Sequence, residues 1–176
     1  NDKVIFQISQ PNEKDYVNTA LKLNQLEKLQ LINIQHEFGI FGGEYGSNLL
    51  FFLKNIRKPT VVTFHTVLPT PNEKVLSVVK AIAKYSKGII VMTDRSKEIL
   101  ERDYNLNPNQ IQIIPHGIHN VPYGSSEYAK SLLGLSGRLI LTTFGLLSST
   151  KGVEYVIEAL PPVVKKFPEV QFVVAG

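Results

Sequence analysis

"TFGLLSSTKGVEYVIEALP", Thr143–Pro161, passes from an apolar strand pattern through a small polar turn holding one lysine into a helical pattern. Val153, Val156, Ile157 and Leu160 recur at i, i+3, i+4 and i+7, the spacing that gathers apolar side chains on one helix face. The run "RLILTTF" (Arg138–Phe144) leads into the turn, and "VQFVVA" (Val170–Ala175) follows the helix. Strand, helix and strand joined by short links are the unit of a parallel α/β sheet with right-handed crossovers. Pro161 and Pro162 are expected to end or kink the helix. Backbone N–H groups at a helix start are unpaired and partly positive, so a lysine there, Lys151, invites an anion such as phosphate. Taken alone, the turn is more plainly described as an ordinary connection with a solvated lysine.

The same alternation runs outward along the chain. Strand patterns are read at "KVIFQIS" (Lys3–Ser9), "LINIQ" (Leu31–Gln35), "TVVTF" (Thr60–Phe64), "GIIVM" (Gly88–Met92) and "IQII" (Ile111–Ile114). Most are continuously apolar, as expected for strands covered on both faces. Helical stripes fall at Leu49, Leu50, Leu53 and Ile56, and at Val75, Val78, Val79 and Ile82. Thr93 or Asp94 can cap the helix through "DRSKEILERDY". The stretch Val121–Gly137, rich in Gly and Ser, interrupts the rhythm. Expected are a Rossmann-like domain over 1–120, a linker over 121–137 and the first βαβ unit of an incomplete second domain over 138–176. The fold class expected is α/β, a doubly wound parallel sheet.

Composition excludes several classes. Hydrophobic residues make up 43% of the 176 and charged residues 19%, a globular balance. No apolar run reaches the roughly 18–20 residues of a membrane span, and "NDKVIFQISQ" does not read as a signal peptide. Lacking an initiator methionine and opening almost on a strand, the sequence reads as an internal cut. Zero cysteines exclude disulfides and thiolate chemistry and suit a reducing compartment. The net charge of +4 mildly favours anionic partners. The lysines are dispersed, so no nucleic-acid partner is expected.

Ligands of doubly wound sheets bind beyond the carboxyl ends of the strands, and the unusual polar residues lie there. "HEFGIFGGEYG" (His36–Gly46) follows one strand, His65 ends the next, and "PHGIHN" brings His116 and His119 after another. One histidine in such a place is ordinarily a hydrogen-bonded loop residue; four at strand ends suggest a site. The spacing "HEFG" is not H-E-x-x-H, and His116 and His119 sit on a Pro/Gly turn, so no metal is expected. No G-x-S-x-G elbow supports a Ser–His–Asp triad. The glycines of "FGIFGGEYG" do not spell a dinucleotide fingerprint, and are read as letting the backbone approach a bulky polar ligand such as a sugar.

In this order, "QHEFGIFGG", "VVTFHTVLP", "IIVMTDRSKEIL", "IIPHGI" and "TFGLLSSTKGVEYVIEALP" resemble the group 1 glycosyltransferases, the retaining family 4 with the GT-B fold. The resemblance covers nearly the whole chain. It implies two Rossmann-like domains facing across a cleft, with a nucleotide-sugar donor mainly on the C-terminal one. The acceptor, a carbohydrate or lipid-linked glycan, would lie mainly on the N-terminal one. Neither metal nor cofactor is implied, the nucleotide sugar being a substrate. The expected location is cytoplasmic, with peripheral contact to a membrane left open.

By that resemblance His36 is the catalytic histidine that contacts the transferred sugar. Glu37, Phe38, Gly39, Gly42, Gly43, His65 and Thr66 line the acceptor side. Pro115, His116 and Gly117 match the turn at which the chain crosses between domains. Gly145, Lys151 and Gly152 would hold the donor, with Lys151 gripping its diphosphate. Where the family pattern has arginine after the strand-end glycine, this sequence has Leu146. The family's first glycine-rich loop would precede Asn1 and its Glu-x7-Glu motif would follow Gly176. The chain alone is therefore expected to be inactive and to self-associate through residues 138–176. The rival reading is a non-catalytic sugar- or nucleotide-binding module of the same fold. A flavodoxin-like nucleotide-binding domain is a more distant one.

Overall fold

The computed structural model describes residues 3–176. Two compact units divide the chain, one reaching Ile118 and the other spanning His119–Gly176.

In the first unit, helix α1 (Glu13–Asn24) precedes β1 (Ile32–His36), α2 (Leu49–Asn55) and β2 (Thr60–Phe64). Then come α3 (Glu73–Tyr85), β3 (Gly88–Val91), α4 (Asp94–Arg102) and β4 (Ile111–Ile113). The four strands are parallel and lie in the order β1-β2-β3-β4. Right-handed crossovers between strands added in one direction bring every connecting helix to the same face. Ile34 and His36 of β1, Val62 and Phe64 of β2, and Ile89 and Val91 of β3 point to that face and are buried. Asn33 and Gln35 point the other way and are exposed. The expectation that these strands would be covered on both faces is corrected here: winding in one direction leaves the second face without helices from the described residues of this unit.

Helix α3 shows how the covered face is built. Asn72 caps it, its side chain accepting from the Val75 amide at 2.9 Å. Val75, Val78, Val79, Ile82 and Ala83 form its buried stripe, each large apolar side chain contributing about 1.5–3 kcal/mol by leaving water. Helix α4 is capped by Thr93, which accepts from the Ser96 amide at 3.1 Å.

One other expectation does not hold in the first unit, and one helix was not anticipated. "KVIFQIS" joins no ladder and is not a strand: no strand pairs with it, and Val4 and Ile5 are exposed. Helix α1, unmarked by an apolar stripe, buries Tyr16, Thr19 and Ala20 instead.

The second unit contains α5 (Ser126–Leu132), β5 (Leu139–Phe144), α6 (Val153–Lys166) and β6 (Val170–Ala175), with β5 and β6 parallel and in register from Leu139↔Val170 to Phe144↔Ala175. Among its described residues no side chain is fully buried. Helix α6 runs through Pro161 and Pro162 rather than ending there. The carbonyls those prolines cannot serve belong to Ile157 and Glu158, both exposed residues, where water can accept the loss.

Candidate functional site

The carboxyl ends of β1 and β2 are tied together. The His65 amide donates to His36 O at 3.0 Å, extending the ladder by one residue. One residue further, Thr66 Oγ1 donates to Glu37 Oε2 at 2.8 Å, while the Phe38 amide donates to Glu37 Oε1 at 3.3 Å. Glu37 and Thr66 therefore form one half-buried polar pair.

His65 lies on the open face of the sheet. Its Nε2 is 2.7 Å from Gln35 Oε1, and its ring is 5.5 Å from that of His116. Beneath it Thr63 Oγ1 donates to Asn33 Oδ1 at 3.3 Å. A shallow cleft of about 230 Å³ opens over these groups, reaching Ile114, Pro115, His116 and Gly117 beyond β4. The arrangement offers hydroxyl, amide and imidazole groups together, which suits a polyhydroxylated ligand. Asn33, Gln35 and Thr63 were absent from the sequence reading of the site, although the alternation of polar and apolar residues in "INIQ" signals a strand with one wet face.

His36 occupies a different environment. As the last residue of β1 it shares the parity of Ile34 and turns into the helix-covered face, where it is fully buried. Phe64 stands edge-on at 4.9 Å, Phe38 edge-on at 5.3 Å and Phe41 stacked at 5.7 Å. Neither ring nitrogen has a hydrogen-bond partner. Burial drives the His36 pKa down from 6.5 to about 4, the Glu37 carboxylate pulling it partly back and His65 pushing it lower. The imidazole is thus neutral at pH 7, with one N–H donor and one lone pair both unused.

The loop after β1 closes this cage. Gly42 has φ 65°, and a Cβ there would lie 2.4 Å from the carbonyl oxygen of Gln10. Gly43 similarly faces the Ser47 hydroxyl. These two glycines allow the chain to pack against itself, whereas the sequence reading had them receiving a ligand. Gly39 and Gly117 do face open space.

In the second unit Gly145 follows β5, its amide donating to Ala175 O at 2.8 Å. Lys151 is exposed and ends a short turn of helix, Ser149–Lys151. Gly152, in the left-handed region at φ 62° and ψ 28°, is the N-cap of α6 and has no side chain with which to cap it. Leu146 is 87% exposed. Among the described residues no three or more His, Cys, Asp or Glu side chains gather as a metal site would require, and no helix is long and apolar enough to cross a membrane.

The sequence matches Glycosyltransferase Family 4 over residues 15–120, more than half of the chain. No curated protein matches it. The structure resembles a crystal structure of a glycosyltransferase from Rickettsia africae ESF-5, with a TM-score of 0.63 over 98% of this chain at 13% identity. At that identity the likeness is one of fold, a Rossmann-like α/β architecture of the GT-B type. The chain spans about half of that protein, 54% of its length.

Proposed function

Because the chain belongs to Glycosyltransferase Family 4, we propose that the intact protein moves a sugar from a nucleotide-sugar donor to a carbohydrate or lipid-linked glycan, with retention. The observation that carries this reading is the grouping of Glu37, Thr66, His65 and His116 at the carboxyl ends of parallel strands, where α/β sheets bind ligands. On this reading those residues, with Gln35, hold acceptor hydroxyls. Phe38, Gly39, Gly42 and Gly43 belong to the loop that shapes the site, and Pro115, His116 and Gly117 form the turn leading to the second domain.

The donor belongs to the second unit. Lys151 directly precedes Gly152, the glycine N-cap of α6, so its cation and the helix amides can neutralise a diphosphate as the bond to the sugar breaks. The step then requires no metal. His36 acts on the transferred sugar once the loop that buries it has moved aside. With a lipid-linked acceptor the enzyme works peripherally at a membrane.

A binding protein without turnover is favoured by one observation, the exposed Leu146 where the family pattern has a cation. Nucleotide release by the intact protein, assayed with a panel of nucleotide sugars and glycan acceptors, separates the two. Release that depends on acceptor and collapses in His36→Ala supports transfer. Tight nucleotide binding without release supports the module.

A further inference from the structure

The loop that buries His36 is held by residues that belong neither to its strand nor to the polar grouping beside it. Tyr16, on α1 and itself 1% exposed, points its hydroxyl at the carbonyl of Phe41, the ring stacked on His36. The Gln10 carbonyl lies 3.2 Å from the same hydroxyl, but one phenolic proton serves one acceptor, and Phe41 O is the nearer. Gln10 Nε2 adds a bond of 2.8 Å to Gly39 O, and Asn48 Nδ2 returns to Gln10 O at 3.3 Å. At its other end the loop is moored to the start of α3, through Lys74 to Glu44 at 2.8 Å and Asn72 to the Tyr45 hydroxyl at 3.0 Å.

His36 faces this loop. A Cβ on Gly46 would lie 3.6 Å from His36 Nε2 and 3.6 Å from the Phe41 Cβ, so the unpartnered nitrogen looks at loop backbone and at Phe41. Phe41 also has somewhere to go. It and Tyr16 line an apolar cavity of about 240 Å³ with Ile8, Ile34, Leu49 and Phe52. A ring leaving His36 has that apolar space beside it.

We infer that Tyr16 is a positioning residue: its hydroxyl, bonded to Phe41 O, latches the glycine-rich loop shut over His36, and release of that bond sets how often His36 is accessible. The consequence for sugar transfer rests on the role proposed for His36; the latch itself rests on the geometry. A buried donor and acceptor that satisfy nothing in the closed state are what a gated side chain would show, since their partners arrive only when the gate opens.

The test reads access to His36 directly. The intact protein is treated with diethylpyrocarbonate at pH 7, and modification of the His36 peptide is followed by mass spectrometry. Tyr16→Phe keeps the ring and removes only the hydroxyl; it should speed modification of His36 roughly three- to tenfold, the opening that one hydrogen bond's net contribution restrains. Gln10→Ala, an exposed change, should act in the same direction and decides the matter if Tyr16→Phe fails to fold. Tyr104→Phe is the comparison. Tyr104 is equally buried and its hydroxyl donates to Leu68 O at 2.8 Å, a bond that includes no residue of the loop, and His36 should react at the wild-type rate. Unchanged reactivity in both loop variants overturns the latch, and so does an equal increase in Tyr104→Phe, which would mean general loosening. Because no sugar is transferred in this experiment, the latch can fail while the role of His36 stands, and the reverse.

Discussion

His36 and Phe64 are register partners at the ends of adjacent parallel strands, and their rings meet edge to face at 4.9 Å. The pairing delivers a titratable ring into the apolar layer between sheet and helices, with consequences for both stability and chemistry.

Between neutral pH and pH 4.5, stability should depend on His36. The His36 pKa falls from 6.5 to about 4 on folding, through burial first, so the unfolded chain takes up a proton that the native state refuses. The contribution is therefore complete above pH 6.5 and is lost as the pH falls toward 4, by roughly 3 kcal/mol at about 1.4 kcal/mol per unit. Urea unfolding at pH 7.5 and 4.5 measures it. His36→Phe should keep the fold and remove most of the difference.

Gly42→Ala should destabilise by about 2 kcal/mol or more, since it combines a positive φ with a Cβ 2.4 Å from Gln10 O. Gly39→Ala, three residues past the end of β1 and with nothing within 4 Å of where its Cβ would stand, should stay within about 0.5 kcal/mol. Thermal unfolding of the pair distinguishes a packed glycine from a spare one.

Lys151→Ala in the intact protein should weaken nucleoside-diphosphate binding roughly ten- to hundredfold, the worth of a charge-assisted phosphate contact, with little change in melting temperature. Leu146→Arg should strengthen it. Calorimetry showing neither effect would place the diphosphate elsewhere.

The 176-residue chain should self-associate. Leu139, Leu141, Phe144 and Val174 of β5 and β6 remain exposed, and apolar strands with open edges recruit partners. Light scattering on a version stopped at Pro122 should show less association; equally monodisperse samples would dismiss residues 138–176 as the cause.

Some of this was legible before any coordinates. The helical stripes of α2, α3 and α6 and the strands β1 to β6 stood out because each carries strong periodicity or a β-branched run. Helix α1 did not, since its buried face is Tyr16, Thr19 and Ala20, too polar and too small to make a stripe; its capping Asn12 and early Glu13 and Asp15 were the usable signals. His36 was picked out by its place at a strand end, but its parity with Ile32 and Ile34 already assigned it to the covered face. The latch could not be read at all. Tyr16 and Phe41 are 25 residues apart, and no local pattern marks a hydroxyl for a distant carbonyl.

The sequential strand order also bears on how the chain is made. Ile34 pairs with Val62, Val62 with Ile89, and Ile89 with Ile111, so successive partners are 28, 27 and 22 residues apart. Each strand docks on the one synthesised just before it, and none waits for a remote partner to leave the ribosome. At about 5–20 residues per second, a new strand follows every few seconds and meets an edge already in place. The first unit is thus suited to vectorial assembly during translation, each new strand covering the edge left by the one before it.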